Sequence, residues 1–323
     1  MSLLVAAVAA APSAFGAVAG LRVTAPNGAV SVVVPGVHAP LPGVPLVSPS
    51  VLRGARVLLA EGLAPGTSEE TDPADRVMQP RPTIVSGAPM LIAAWAAGLD
   101  LGRLRSALLA HAGCLSRSES RSRQLSDFRH DPFADPQLTA QVAMAIPKPE
   151  MADWILETPC ARADAPARDD VLHLVAAAHH LPTVWLDTPY GKARAERAVP
   201  PAFWRAVIAS ILAGHPAAEE DPGFLGLVNR GAFDQLAGYH IAGVSVALAE
   251  AAHQALVVER NRDWLPVLVR ELRRGRAVVL AGAGHFGGEG GLIALLRAAG
   301  FTVVPAALPE FAPGHPVTFE DLQ

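Results

Sequence analysis

Cysteine and charge are both scarce in this sequence, and each shortage removes a class of protein. Two cysteines, Cys114 and Cys160, cannot build a disulfide framework, and no Cys-x-x-Cys spacing offers a zinc ribbon or a redox pair. They leave two readings open: one bridge if the chain is exported, or two inert thiols. Charged residues are only 17% and the formal net charge is -4, with no Lys/Arg stripe to neutralise phosphates, which argues against a nucleic-acid partner. Also missing are a Gly-x-Ser-x-Gly elbow, a His-Glu-x-x-His helix and a Gly-x-x-x-x-Gly-Lys loop. Their absence argues against serine hydrolases, the common zinc proteases and nucleotide hydrolases. What is present is 51% hydrophobic residues over 323, enough for a substantial globular core.

Residues 1–20 form an apolar segment whose reading stays open between a signal peptide and an ordered element. No Lys or Arg precedes the apolar run, and Pro12 and Gly16 interrupt it. It is too short and broken for a stable membrane span. The cytoplasm is slightly favoured, with export through that segment as the alternative.

Leu21 to Val34 predicts a β-hairpin turning at Pro26-Asn27-Gly28. Arg56 to Glu61 and Thr183 to Asp187 predict short apolar strands, each closed by an acid. Gly62 to Arg81 reads as a solvated acidic loop, and Gly87 to Leu109 as two helices broken near Asp100-Leu101-Gly102. Ser116 to Pro136, dense in Ser and Arg, predicts a surface loop or lid; Glu119, Asp127 and Asp131 offset its charge, so a nucleic-acid arm is disfavoured. Helices are expected over Asp170 to His180, Pro201 to Leu212, Ile241 to Leu256 and Val257 to Arg274.

The chemistry concentrates at strand ends. Arg276 to Leu292 reads as a buried strand, a glycine-rich turn carrying His285, then a helix, and Val32 to His38 has the same form. In α/β folds the carboxyl ends of strands are where ligands bind. Gly282 to Gly287 matches Gly-x-Gly-x-x-Gly literally, but too little chain follows it to complete a dinucleotide fold. His38, Glu61 and His285 can be read as a divalent-metal site, because imidazole and carboxylate suit zinc, manganese, cobalt or iron. The competing reading has His38 capping a strand, Glu61 paired with an Arg and His285 filling a turn. Glu259 to Trp264 is likewise open between a solvated salt-bridged helix face and a site in which Arg260 and Asn261 stabilise an oxyanion. His173, His179 and His180 read as packing or surface residues, while Tyr239-His240 sits where it could approach the site.

His38, Glu61, the Glu259-Arg260-Asn261-Arg262-Asp263-Trp264 stretch and Val278 to His285 followed by Gly290 to Val303 together resemble the TraB/GumN/Tiki family. The resemblance runs from about Leu21 to Val304. It implies two Gly-x-x-His motifs and a strand-end glutamate forming a metal-dependent hydrolase site, with Tiki members acting as metalloproteases on secreted peptides. By that resemblance His38 and His285 are metal ligands, Glu61 is a ligand or the base, and Arg260 and Asn261 are catalytic. One departure stands out: the first motif is Pro35-Gly36-Val37-His38, with proline in the leading glycine's place.

The expectation is an α/β fold with a mostly parallel central sheet, a helical insertion between about Gly87 and Asp170, and a strand-end metal site. The domain is expected over 21–312, with a tail over 313–323. The expected activity is a metal-dependent hydrolase, a peptidase acting on a peptide or amide. A non-catalytic peptide-binding protein marked by Pro35, and a small-molecule ester or lactone hydrolase, are the rivals.

Overall fold

Apolar runs too short for helices become the centre of the molecule. The computed structural model describes residues 17–65, 67, 92–124, 135–160 and 166–311, with Ala17 and residues 116–124 described in backbone only. Six strands form one sheet: β1 (Ala17–Thr24), β2 (Val30–Gly36), β3 (Val57–Ala60), β4 (Thr183–Trp185), β5 (Ala277–Gly282) and β6 (Thr302–Pro309), in the order β4-β3-β5-β2-β1-β6. β2, β5, β3 and β4 pair in parallel, while β1 runs antiparallel to both β2 and β6. The sheet is thus mostly parallel, and β2, β3, β4 and β5 all end at one edge. β1 begins inside the apolar segment left open between a signal peptide and an ordered element; its earlier part, residues 1–16, and the tail lie outside the described residues.

Alternation along the strands sends side chains to two cores. Val57, Leu59, Val279 and Ala281 face helix α10 (Arg260–Arg274) and α11 (Leu292–Ala298), where Trp264, Leu268, Leu272 and Leu296 meet them. Leu58, Ala60, Val278 and Leu280 face the opposite way, onto Leu172 and Ala176 of α4 (Arg168–Ala178). Burial on both faces is why these parallel strands read as unbroken apolar runs.

The expected insertion is present as a helical lobe with its own core. It comprises α1 (Leu101–Gln124), α2 (Pro136–Ala145) and α3 (Pro149–Leu156), packed through Leu104, Leu108, Met144 and Ile155 against Ile208 of α6 (Pro201–Leu212). Two expectations need correction here. Ahead of α1 the described residues, 92–100, hold a short 3₁₀ turn, Ala94–Ala96, in place of the expected helix, and 87–91 lie outside them. And α1 runs on to Gln124, through the first part of the expected Ser/Arg loop; no Gly or Pro falls between Cys114 and Gln124, and arginine is a good helix former. The remainder of that loop (125–134) and most of the expected acidic loop (68–81) lie outside the described residues.

Cys114 and Cys160 are joined by a disulfide between α1 and the segment after α3, at a sequence separation of 46. Bridges of this kind restrict the unfolded chain and contribute about 2–4 kcal/mol.

Beyond β4 come α5 (Pro189–Ala198), α7 (Pro222–Arg230), α8 (Phe233–Ala237) and α9 (Val246–His253). The two long helices expected over 241–274 are a single one: α9 passes through one π-helical turn, Gln254–Glu259, directly into α10. No Gly or Pro lies at the expected break, so nothing there interrupts the helix. No helix among the described residues is long and apolar enough to cross a membrane.

Candidate functional site

The parallel strands deliver their last residues to one edge, and there His38, Glu61, Asp187 and His285 meet. Glu61 is central. Its Oε2 accepts the Gly282 N–H at 2.6 Å and lies 3.7 Å from His38 Nε2, while its Oε1 lies 2.8 Å from Arg260 Nη2 and 3.3 Å from His285 Nε2. All three expected ligand residues are therefore brought together, with both imidazole Nε2 atoms facing one carboxylate.

Each ring is held from behind. His38 Nδ1 lies 2.8 Å from Asp169 Oδ2, and the other oxygen of Asp169 accepts the Val37 N–H at 2.9 Å. His285 Nδ1 lies 2.7 Å from Asn261 Oδ1, while Asn261 Nδ2 donates to the His285 and Gly290 carbonyls at 3.0 and 2.9 Å. With the amide nitrogen so engaged, Oδ1 is the acceptor and the proton sits on His285 Nδ1, leaving Nε2 a lone pair. His285 also lies against the Trp264 ring, with centroids 4.4 Å apart, and is only 5% exposed.

Arg260 forks onto Asp187, Nε to Oδ1 at 3.0 Å and Nη2 to Oδ2 at 2.6 Å, and lies over the Trp264 ring. Trp264 Nε1 and the Gly62 N–H donate to the same Asp187 carboxylate, at 3.0 and 2.9 Å. The two readings of the Glu259 to Trp264 stretch separate by helical phase. Arg260, Asn261 and Trp264 point inward, whereas Arg262 pairs with Glu259 on the outer face and Asp263 pairs with Arg194. Asn261 is fully buried and has no donor free for an oxyanion, so the expected catalytic role becomes one of fixing His285. Arg260 keeps only Nη1 loosely held, 3.3 Å from the Leu256 carbonyl and 3.4 Å from His285 Nε2.

The electrostatics follow from two carboxylates, Glu61 and Asp187, around the Arg260 guanidinium and a third, Asp169, against His38. Burial opposes ionisation of Glu61, but His285, Arg260 and His38 together hold it well below the ordinary carboxylate range. Burial lowers His285, and the Glu61 carboxylate pulls against that shift. The His38 side chain is 50% exposed, so desolvation opposes its charge only in part, and Asp169, by charge and hydrogen bond, then Glu61 and Glu219 raise it well above the usual histidine value.

This gives His38 a pH signature in protein stripped of metal. Its unfolded value stays near about 6.5 and its folded value is higher, so the stability it adds is complete below about pH 6.5 and is lost as pH rises through the folded value. Between about pH 7 and pH 9 the urea midpoint of the native chain should fall more steeply than that of His38→Gln. Equal slopes would show that the Asp169 pairing does not govern His38.

The glycines are set by contact. Gly36 and Gly282 are register partners on β2 and β5. A Cβ on Gly36 would stand 2.5 Å from Asp169 Oδ2, and one on Gly282 would stand 2.8 Å from His38 Nε2. The first motif thus needs its glycine at 36. Pro35 pairs with Ala281 of β5 past the end of the β1–β2 ladder, and its carbonyl accepts from Arg168 Nη1 at 2.9 Å.

Sequence reasoning missed Asp169, and it noted Asp187 only as a strand-end acid. Asp169 sits in the first turn of α4, where acids ordinarily serve the helix dipole. His173 stacks on Trp185, while His179 and His180 are exposed, in keeping with packing and surface roles.

Among the described residues no group of three or more His, Cys, Asp or Glu side chains is already arranged as a metal cage. The donor chemistry nonetheless fits a divalent ion. Two imidazoles anchored through Nδ1, one by a carboxylate and one by an amide, present Nε2 to a carboxylate, the outer support that metal-binding histidines ordinarily have. Glu61 and Asp187 face the Arg260 guanidinium, while Asp169 lies against His38 and within the field of buried Arg168.

The model of the TraB/PrgY/gumN family matches residues 123–305. The chain belongs to that family. The matched span holds Asp169, Asp187, Arg260, Asn261 and His285, while His38 and Glu61 precede it. No curated protein and no solved structure matches the chain.

Proposed function

We propose that this TraB/PrgY/gumN member is a metal-dependent hydrolase acting on a peptide or related amide. The observation that carries the reading is the convergence of His38 Nε2 and His285 Nε2 on Glu61, each ring fixed through its other nitrogen. His38, Glu61 and His285 would hold the ion, for which manganese, zinc, cobalt or iron suit these donors. When bound, it supplies Lewis acidity and activates water near neutral pH.

The remaining work falls to the chain itself. Glu61 is held as a carboxylate, the form required of a metal ligand and of a base alike. Arg260 keeps Glu61 ionised and, through Nη1, offers a positive charge to a developing oxyanion. Asn261 and Asp169 hold the two rings in orientation. The Cys114–Cys160 bridge favours the exported alternative over a cytoplasmic location, because such bridges persist in oxidising compartments.

The test is hydrolysis of a quenched fluorescent peptide library by the full chain, before and after chelation. Cleavage lost on chelation and restored by added Mn²⁺ or Zn²⁺ is expected. Cleavage untouched by chelation would remove the metal from the proposal.

A further inference from the structure

A groove lined by none of His38, Glu61, Arg260 or His285 lies beside the candidate site. Its volume, 530 Å³, falls in the range of pockets that enclose a ligand, roughly 300–1,000 Å³. Phe203, Phe224, Ile241, Leu256 and Val257 give it an apolar surface, and Val246, 62% exposed, stands at its rim.

Three contacts join the groove to the site. The carbonyl of Leu256 accepts from Arg260 Nη1 at 3.3 Å. Ala218 lies beside Glu219, one of the acids whose charge acts on His38. Leu236 packs in one cluster with Val37 and Ala283.

One continuous helix joins them as well. Ala249, Ala252, His253, Leu256 and Val257 line the groove, and α9 runs through the π turn directly into α10, which carries Arg260, Asn261 and Trp264 of the site. The π turn lies where the two meet, a placement frequent at functional sites.

The groove also holds an unpaired polar atom. His253 Nε2 is shielded from solvent and has no hydrogen-bond partner among the described residues. Burial, with His285 nearby, favours its neutral form, able to donate to a peptide carbonyl or accept from a peptide N–H.

We propose that this groove receives a bulky apolar side chain of a peptide substrate, beside the bond that the site cleaves. The inference rests on the hydrolase reading above. A peptide suits the walls better than a hydrocarbon chain does, because Tyr239, His240, Glu250 and the unpaired His253 interrupt the apolar surface.

The experiment uses the full chain with Mn²⁺ and quenched hexapeptides identical except for one residue, Leu, Phe, Ala or Asp. The Leu and Phe peptides should be cleaved with kcat/KM about tenfold or more above the Ala and Asp peptides. Val246→Glu at the exposed rim, and Ala249→Trp within the groove, should each bring the Leu-to-Ala ratio close to unity. Circular dichroism establishes that both variants fold, and the rim position disturbs no core. Cleavage without preference, or a preference that survives both variants, overturns the groove assignment while leaving the hydrolase reading intact. If no peptide is cleaved, calorimetric binding of the same peptides decides. Tighter binding of the Leu peptide, lost in Val246→Glu, upholds the groove and removes the hydrolase; equal binding removes the groove as well.

Discussion

Glu61→Gln should lower peptide hydrolysis by about 10³-fold or more, the order of loss when a group acting on the reacting atoms is removed. Glutamine keeps the shape but not the charge or the donor pattern. One carboxylate oxygen faces Arg260 Nη2 at 2.8 Å and the other faces the Gly282 N–H at 2.6 Å. Whichever way the amide turns, its NH₂ meets a donor, so about 1–3 kcal/mol of stability is lost as well. The two effects are separable, because a loss of that size still leaves most of the chain folded at 25 °C, where rates are measured. Activity within about tenfold of the native chain, at equal folded fraction, would remove Glu61 from the site.

Arg260→Met should cost about 3–5 kcal/mol of stability, more than most single substitutions. Arg260, Glu61 and Asp187 have side chains 12%, 13% and 2% exposed, so solvent screens these ion pairs poorly. Removing the guanidinium leaves two carboxylates without their common counter-charge. Arg260→Lys should recover little, since a point charge cannot fork onto both oxygens of Asp187 as Nε and Nη2 do. Adding Asp187→Asn to Arg260→Met should return part of the loss. A denaturant-derived loss under about 1 kcal/mol for Arg260→Met would show that the cluster does not depend on this cation.

The strand ends were legible because buried parallel strands read as apolar runs, against which a terminal His38, Glu61, Asp187 or His285 stands out. The partners behind them were not. Asp169 resembles any first-turn acid, and only the parallel register that brings Gly36 alongside Gly282 shows how little room is left around it. His285 reads as a turn residue, yet it is buried against Trp264, so His285→Ala disturbs packing as well as chemistry. The division of the Glu259 to Trp264 stretch was within reach of helical periodicity, since positions 260, 261 and 264 share a face that 259, 262 and 263 do not. Where α1 ends was obscured by composition: Ser and Arg suggest a loop, but without a breaker the helix continues. Pairing of Cys114 with Cys160 depends on distance in the fold, which spacing in sequence does not encode.

Metal content tests the central proposal most directly. The full chain, stripped by chelation and then titrated calorimetrically with Mn²⁺, Zn²⁺, Co²⁺ or Fe²⁺, should take up a single ion of at least one of these metals. Affinity should fall by more than about 100-fold in His285→Ala, beyond the usual effect of losing only an outer partner. A native chain that binds none of the four, or a His285→Ala variant that binds as tightly as the native chain, would contradict it.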